Sequence, residues 1–166
     1  YIQADFGNLS IISLYMPSGS SKEERQVVKY DMMERMKPLL LEMQASGREY
    51  LICGDWNIAH KKIDIKNWRS NQNNTGFLQE ELAWMAWLID EAGYVDVFRQ
   101  IEPGEDQYTW WSNRGRAWEK KTRWRIDYQI ATPGIASKAE ATSIYKKKRF
   151  SDHAPLIVDY DYQLAG

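Results

Sequence analysis

The chain has 166 residues, enough for one domain with its own hydrophobic core, and its 43% hydrophobic and 27% charged residues are typical of a globular protein. The net charge of −1 excludes a global field that would draw the whole molecule onto nucleic acid, so any such contact must come from local patches. One cysteine, Cys53, excludes an intramolecular disulfide, and no apolar run is long enough to span a membrane. We therefore expect a reducing, cytoplasmic setting.

The first predicted elements are a strand and a long helix. Residues 8–17 form a short apolar run that ends at a proline, which predicts a strand. Ser21 and Glu24 have the spacing of a helix-capping box. Apolar residues then recur at helical spacing: Val28, Met32, Met36, Leu39, Leu40 and Met43. Pro38 lies inside this pattern and is expected to kink or weaken the helix, which Gly47 should end.

The middle of the chain predicts a strand, a long loop and a second helix. Residues 50–54 read as the strand, and the polar, Asn-rich residues 60–76 read as a surface loop. Long loops in compact domains tend to be functional. A second amphipathic helix should end at Gly93, with these apolar positions: Leu78, Leu82, Met85, Ala86 and Ile89.

Strands dominate the last third of the chain. They are predicted at residues 108–111, 125–131, 140–145 and 155–162, and a basic segment joins the first two. Strands alternate with helices early and crowd together late, and no linker interrupts the chain. We therefore predict a single α/β domain over residues 1–166.

Three predicted strand ends carry polar clusters: Asp55 with Asn57, Arg125 with Asp127, and Asp152 with His153. A carboxylate beside one apolar run is most often a turn residue or a helix cap, but three such clusters favour a site. Magnesium prefers carboxylate oxygens and leaves room for a substrate phosphate, whereas an Asp–His pair suits proton transfer. From these residues alone, a turn, a metal or phosphate site and a catalytic base all stay open for Asp55.

Four motifs carry a family resemblance. GDWNIAH (54–60), RIDY (125–128) and SDHAPL (151–156), with LYMP (14–17) upstream, resemble the exonuclease III-like abasic-site DNA endonucleases of the endonuclease/exonuclease/phosphatase superfamily. The Asn-rich loop and the YTWW…RWRIDY pattern resemble the DNA-repair branch. The resemblance implies a four-layer α/β sandwich of two packed, mainly antiparallel sheets flanked by helices. The chain is similar to the C-terminal part of that domain, and the N-terminal strands have no counterpart here.

The resemblance also implies roles for five residues. Asp55 would position or deprotonate the attacking water, or protonate the leaving group, and Asn57 would hydrogen-bond the scissile phosphate. His153 would contact the same phosphate. Asp127 would accept a hydrogen bond from His153 and fix its tautomer. Tyr15 would contact the phosphate through its hydroxyl.

A magnesium ion, with Mn²⁺ as a substitute, is implied in the same way. Asp152 would be the main metal-site residue of this chain, with Asp55 and Asn57 beside it. The principal glutamate of the family lies in an LQE motif of the N-terminal part of the domain, which has no counterpart here. The LQE string at residues 78–80 follows the Asn-rich loop and is not at that position. The isolated chain is therefore expected to bind magnesium weakly and to be inactive.

The resemblance places the remaining candidates against duplex DNA. Asn71 and Asn74 would lie near the abasic sugar and phosphate, and Trp110 and Trp124 would wall the pocket for the flipped-out sugar.

A basic segment would add contacts to the DNA backbone through Arg114 and Arg116. The run KKKR at residues 146–149 either adds to that surface or is a solvated charge run.

These inferences predict a DNA repair nuclease. It would hydrolyse the phosphodiester 5′ to an abasic site, with 3′–5′ exonuclease or 3′-phosphatase activity in addition, and would act as a monomer when full length. Its partners would be duplex DNA with abasic sites or 3′ ends, and no membrane. Two alternatives stay open: another metal-dependent phosphoesterase of the same superfamily, or an inactive DNA-binding fragment.

Overall fold

A computed structural model describes residues 1–20, 23–112 and 122–164. Nine strands are present in these ranges: β1 (Ile2–Phe6), β2 (Leu9–Tyr15), β3 (Glu49–Asp55), β4 (Val95–Asp96), β5 (Trp110–Trp111), β6 (Arg123–Trp124), β7 (Asp127–Ala131), β8 (Ala139–Ile144) and β9 (Leu156–Tyr160). The described α-helices are α1 (Glu23–Ala45), α2 (Gln79–Ala86), α3 (Val97–Ile101) and α4 (Pro133–Ala136).

The central sheet has five strands in the order β1-β2-β3-β7-β4. β2 and β3 are parallel because α1 carries the chain back between them, whereas β1, β7 and β4 each pair antiparallel with their neighbours. Two-stranded sheets form from β5 with β6 and from β8 with β9. β1, β4, β6, α3 and α4 were not predicted from the sequence, and the strand predicted at 125–131 begins two residues later, as β7.

Apolar side chains pack on both faces of the central sheet. One face supports α1 and α2 through a core that includes Met33, Leu40 and Trp84. The other face is covered by α4 and by β9, where Leu51 packs with Ile135 and Val158. Helices on one face and a second, smaller sheet on the other confirm the predicted α/β class.

Helix α1 corrects two expectations. It continues through Pro38 to Ala45, because the buried residues on either side of the proline, Met36 and Leu40, hold both halves against the core. Val28 was expected on the packed face and is exposed, whereas Lys29 lies on that face with no exposed surface. The helix ends two residues before Gly47, whose φ of 75° is the left-handed conformation expected at a helix end.

The predicted loop at 60–76 is more ordered than its composition suggested. It contains two short 3₁₀ turns, Lys62–Asp64 and Trp68–Asn71, and it buries Asp64 and Ile65. The second predicted helix begins as α2 and continues through one π-helical turn, Trp87–Glu91, before Gly93. No helix in the described part of the chain combines the length and the apolar composition that a membrane crossing requires.

Candidate active site

Three neighbouring strands bring three of the predicted residues into one row. The strand register pairs Tyr15 of β2 with Asp55 of β3, and Asp55 with Asp127 of β7. Residues paired across adjacent strands project from the same face of a sheet. Because β7 runs antiparallel to β2 and β3, its first residue lies beside their last residues at one end of the strands.

A tight turn after β3 fixes the orientation of the Asp55 carboxylate. Asn57 has a φ of 51°, a left-handed conformation that Asn tolerates better than most residues. Its backbone N–H donates to Oδ1 of Asp55 at 2.8 Å, and its side-chain Nδ2 donates to Oδ2 of Asp55 at 2.9 Å. Nδ2 also donates to the carbonyl of Met16 at 2.8 Å. Both N–H bonds of the amide are therefore engaged, and a phosphate contact through them requires one of these bonds to be exchanged.

His153 lies between two carboxylates. Its Nδ1 is 3.1 and 3.0 Å from the two carboxylate oxygens of Asp127, and its Nε2 is 4.0 Å from Oδ2 of Asp55. An ionised carboxylate can only accept, so Asp127 fixes the hydrogen on Nδ1 and leaves Nε2 facing Asp55. The hydroxyl oxygen of buried Thr109 accepts hydrogen bonds from the backbone N–H of both Ile126 and Asp127 at 3.2 Å, which holds the start of β7 in place.

The surroundings raise the pKa of two of these groups. Burial, and then the negative charge of Asp127, raise the pKa of Asp55 to about 6. The hydrogen bond from Asp127 raises the pKa of His153 above its ordinary value of 6.5, against the opposing effect of burial. A carboxyl whose pKa is raised to about 6 and an imidazole whose pKa is raised above 6.5, facing each other at 4.0 Å, are suited to general acid–base chemistry.

Asp152 is held apart from this pair. Its Oδ2 accepts from the indole N–H of Trp110 at 3.2 Å, and its Oδ1 accepts from the hydroxyl of Ser151 at 3.3 Å. Burial by itself would raise the pKa of Asp152, but these hydrogen bonds and the nearby His153 outweigh it, and the net pKa is lowered.

A resident metal ion requires a converging set of donors. In residues 1–20, 23–112 and 122–164, no group of three or more His, Cys, Asp or Glu side chains is arranged to hold one. Both carboxylate oxygens of Asp55 already accept hydrogen bonds from Asn57. Both carboxylate oxygens of Asp152 likewise accept hydrogen bonds, one from Trp110 and one from Ser151. The described residues therefore do not fit a complete magnesium site, and the predicted set of Asp152, Asp55 and Asn57 supplies at most part of one.

The predicted DNA-contacting residues line the same cavity as the acid–base pair. This cavity has a volume of about 890 Å³, and its walls include Tyr15, Asp55, Asn57, Asn71, Asn74, Trp110, Trp124, Asp152 and His153. The rings of Trp110 and Trp124 meet edge to face, with centroids 6.2 Å apart. Arg114 and Arg116 lie outside the described residues. A larger groove of about 1070 Å³ is also lined in part by the Asn-rich segment, but none of the predicted site residues lines it.

Two buried residues beneath the site were missed by the sequence analysis. Lys29 donates to the backbone carbonyl of Asn57 at 2.8 Å and to Glu81 at 2.5 Å. A signal was present, because Lys29 is in phase with Met33 and Met36 at i+4 and i+7, which places a cation on the packed face of the helix.

Comparison with known proteins gives concordant matches. The model of the Endonuclease/Exonuclease/phosphatase family matches residues 9–153. An exodeoxyribonuclease of Bacillus subtilis is 36% identical over 157 residues, which are 93% of this chain and 61% of that protein. A DNA repair nuclease of Danio rerio is 31% identical over 160 residues, covering 93% of this chain and 50% of that protein. The structure of an AP endonuclease from Archaeoglobus fulgidus matches with a TM-score of 0.84 and 27% identity over 96% of this chain and 64% of that one. This chain thus spans between half and two thirds of these relatives.

Proposed function

Because this chain belongs to the Endonuclease/Exonuclease/phosphatase family, we propose that it provides the acid–base residues of a DNA repair nuclease that hydrolyses the phosphodiester 5′ to an abasic site. The observation that carries this proposal is the line from Asp127 through His153 to Asp55, at a sheet edge that opens into the 890 Å³ cavity. Activity on 3′ ends, as exonuclease or phosphatase, belongs to the same proposal because it breaks the same kind of bond.

The geometry supports a division of labour within the line. Asp55, with a pKa of about 6, is mostly ionised at neutral pH and accepts a proton from the attacking water. His153, held by Asp127 through Nδ1, directs Nε2 toward the phosphate and stabilises its negative charge when protonated. Water then adds to phosphorus as its proton passes to Asp55, the P–O bond to the 3′ oxygen breaks, and that oxygen takes up a proton from solvent. Asp55 afterwards returns its proton to solvent.

The cavity walls support an abasic sugar as the preferred ligand. Trp110 and Trp124, the Asn-rich segment and the acid–base pair all line it. A flipped-out sugar without its base presents an apolar face to the two rings and a phosphate to the polar wall. Tyr15, Asn71 and Asn74 are proposed to contact that phosphate and sugar.

Magnesium is the ion we propose for this family site, because Mg²⁺ prefers carboxylate oxygens beside substrate phosphate. The described residues alone do not complete a set of ligands for this ion. We also propose that the complete protein acts as a monomer on duplex DNA in the cytoplasm, where the half-buried thiol of Cys53 stays reduced.

Single-turnover cleavage of matched duplexes, one with an abasic site and one without, tests the proposal in the protein as the organism makes it. The abasic duplex should be cut faster, and His153→Gln should slow that cleavage by about 10²–10⁴-fold. As a matched control, His60→Gln changes a histidine that lines the larger groove and should have little effect. Equal cleavage of both duplexes would instead indicate another phosphoesterase of the family.

A second candidate function is DNA binding without turnover by these 166 residues alone. The incomplete set of metal donors among the described residues favours it. The purified chain should then retain a labelled abasic duplex in a binding assay and leave it uncut with excess Mg²⁺. Cleavage by the chain alone would exclude this candidate.

A further inference from the structure

Lys29 and Glu81 form an ion pair that is entirely buried beneath the candidate site. Both side chains have no exposed surface, and Nζ of Lys29 lies 2.5 Å from Oε1 of Glu81. Burying two charges removes both from water, so such a pair contributes little to stability unless further hydrogen bonds satisfy it. The groups to which Lys29 and Glu81 make further hydrogen bonds therefore indicate what the ion pair holds in place.

One set of partners is the turn that orients Asp55. The ammonium of Lys29 donates to the carbonyl of Asn57 at 2.8 Å. Asn57 is in a left-handed conformation, and its N–H and amide hold both oxygens of Asp55. Lys29 thus holds the carbonyl of Asn57, while the backbone N–H and the side-chain amide of Asn57 orient the carboxylate of Asp55.

The other set of partners is the end of the Asn-rich wall of the cavity. Oε2 of Glu81 accepts from the backbone N–H of Gly76 at 2.6 Å and of Leu78 at 3.0 Å. Oε1 accepts from Gln26 at 3.1 Å, and Gln26 in turn accepts from the hydroxyl of Thr75 at 2.7 Å. Each carboxylate oxygen therefore makes at least two bonds, and most of them lead to the segment that follows Asn74.

Two segments that line the cavity are joined through this pair. Asn57, Thr75 and Leu78 all line this cavity, and the N–H of Ala59 donates to the carbonyl of Gly76 at 2.8 Å, so the two segments lie side by side. Lys29 comes from α1 and Glu81 from α2, so the pair also fixes the spacing of two helices on one face of the sheet. A pair of apolar residues could fill the same volume but would make none of these bonds to Asn57, Gly76 and Leu78.

We propose that Lys29 and Glu81 are positioning residues, which set the orientation of Asp55 and its distance from the Asn-rich wall. This rests on the proposed nuclease function for its kinetic consequence, but not for its structural one. Neither residue touches the substrate cavity directly, so their effect is transmitted through Asn57 and Gly76.

The test uses the double variant Lys29→Met/Glu81→Gln in the protein as the organism makes it. Removing both charges together avoids leaving one of them buried and unpaired, so the variant should fold. We expect kcat for the abasic duplex to fall about 10- to 100-fold, the range for groups that orient a catalytic residue, while KM changes about threefold or less. Leu40→Ala, a buried change on the same helix with no contact to Asn57, should leave kcat unchanged below its unfolding temperature.

A measurement without turnover separates this proposal from the nuclease function. The short bond from the Gly76 N–H to a charged oxygen should give that amide a downfield proton shift and slow hydrogen exchange. Both should be lost in the double variant and kept in Leu40→Ala, whether or not the protein cuts DNA. A double variant with kcat within twofold of the parent, or with an unchanged Gly76 amide, would overturn the proposal.

Discussion

Asp55→Asn replaces a buried carboxyl by an amide of the same size, and we predict that it stabilises the protein at alkaline pH while it removes activity. The pKa of Asp55 is raised from 3.8 to about 6, first by burial and then by Asp127. A carboxyl with a higher pKa in the folded than in the unfolded chain binds its proton more tightly when folded. Its ionisation therefore lowers the free energy of unfolding as the pH rises from 3.8 through about 6.

The size of the effect follows from these two pKa values. Full ionisation of Asp55 costs about 3 kcal/mol of stability, of which about 1.4 kcal/mol falls between about pH 5 and about pH 8. The amide in the variant keeps an acceptor for the backbone N–H of Asn57 but turns an NH₂ group toward Nδ2, which costs about 1–2 kcal/mol at any pH. The variant should be about 1–2 kcal/mol more stable than the parent at about pH 8, and about equal to it at about pH 5.

Urea unfolding of parent and variant at these two pH values measures the difference, because other titrating groups largely cancel. Asp90→Asn, which removes an exposed carboxyl, serves as the control for the loss of one negative charge. Cleavage of the abasic duplex by the Asp55 variant should fall about 10²–10⁴-fold. If the stability difference were the same at both pH values, burial would not raise the pKa of Asp55. The proposal that Asp55 acts as a base near neutral pH would then be refuted.

Three further predictions concern other parts of the molecule. Asp127→Asn should lower the pKa of His153 toward 6.5, so its imidazole NMR signals should titrate at lower pH than in the parent; an unmoved midpoint would show that another group sets it. Arg125→Met should cost about 3–5 kcal/mol in urea unfolding, because it leaves Asp96, which it binds at 2.6 Å, as a buried charge; a loss under about 1 kcal/mol would contradict this. Replacing the three lysines at 146–148 by Gln should flatten the salt dependence of duplex binding by about 0.9 in log–log slope per lost phosphate contact, whereas an unchanged slope would identify a solvated charge run.

The candidate site residues could be selected from the sequence because they lie beside apolar runs in recognisable motifs. Asp55 ends β3, Asp127 begins β7 and His153 lies three residues before β9, so each of them stands beside a strand that the sequence predicts. Their register was not predictable, since pairing between strands far apart in sequence depends on the whole sheet.

The errors have local physical causes. Hydrophobicity alone placed Val28 on the packed face of α1 and kept Lys29 off it, although a lysine can be buried when an anion and a carbonyl receive it. Pro38 was expected to disturb the helix, but packing of its neighbours outweighed the lost hydrogen bond. The orientation of the Asn57 amide could not be inferred, because the motif fixes the residue type and not the bonds it makes.

Tyr15, Asp55 and Asp127 lie in a single row only when the strands pair in the correct register. The specific activity of a protein sample therefore depends on the fraction of molecules that have folded with that register. A slip of β3 by one residue would send the Asp55 side chain to the opposite face, although helix and strand content would hardly change. Such molecules would look native by circular dichroism and by size, yet contribute nothing to turnover. Active-site titration against total protein would therefore count correctly registered sheets, and refolded samples of equal secondary structure could differ widely in specific activity.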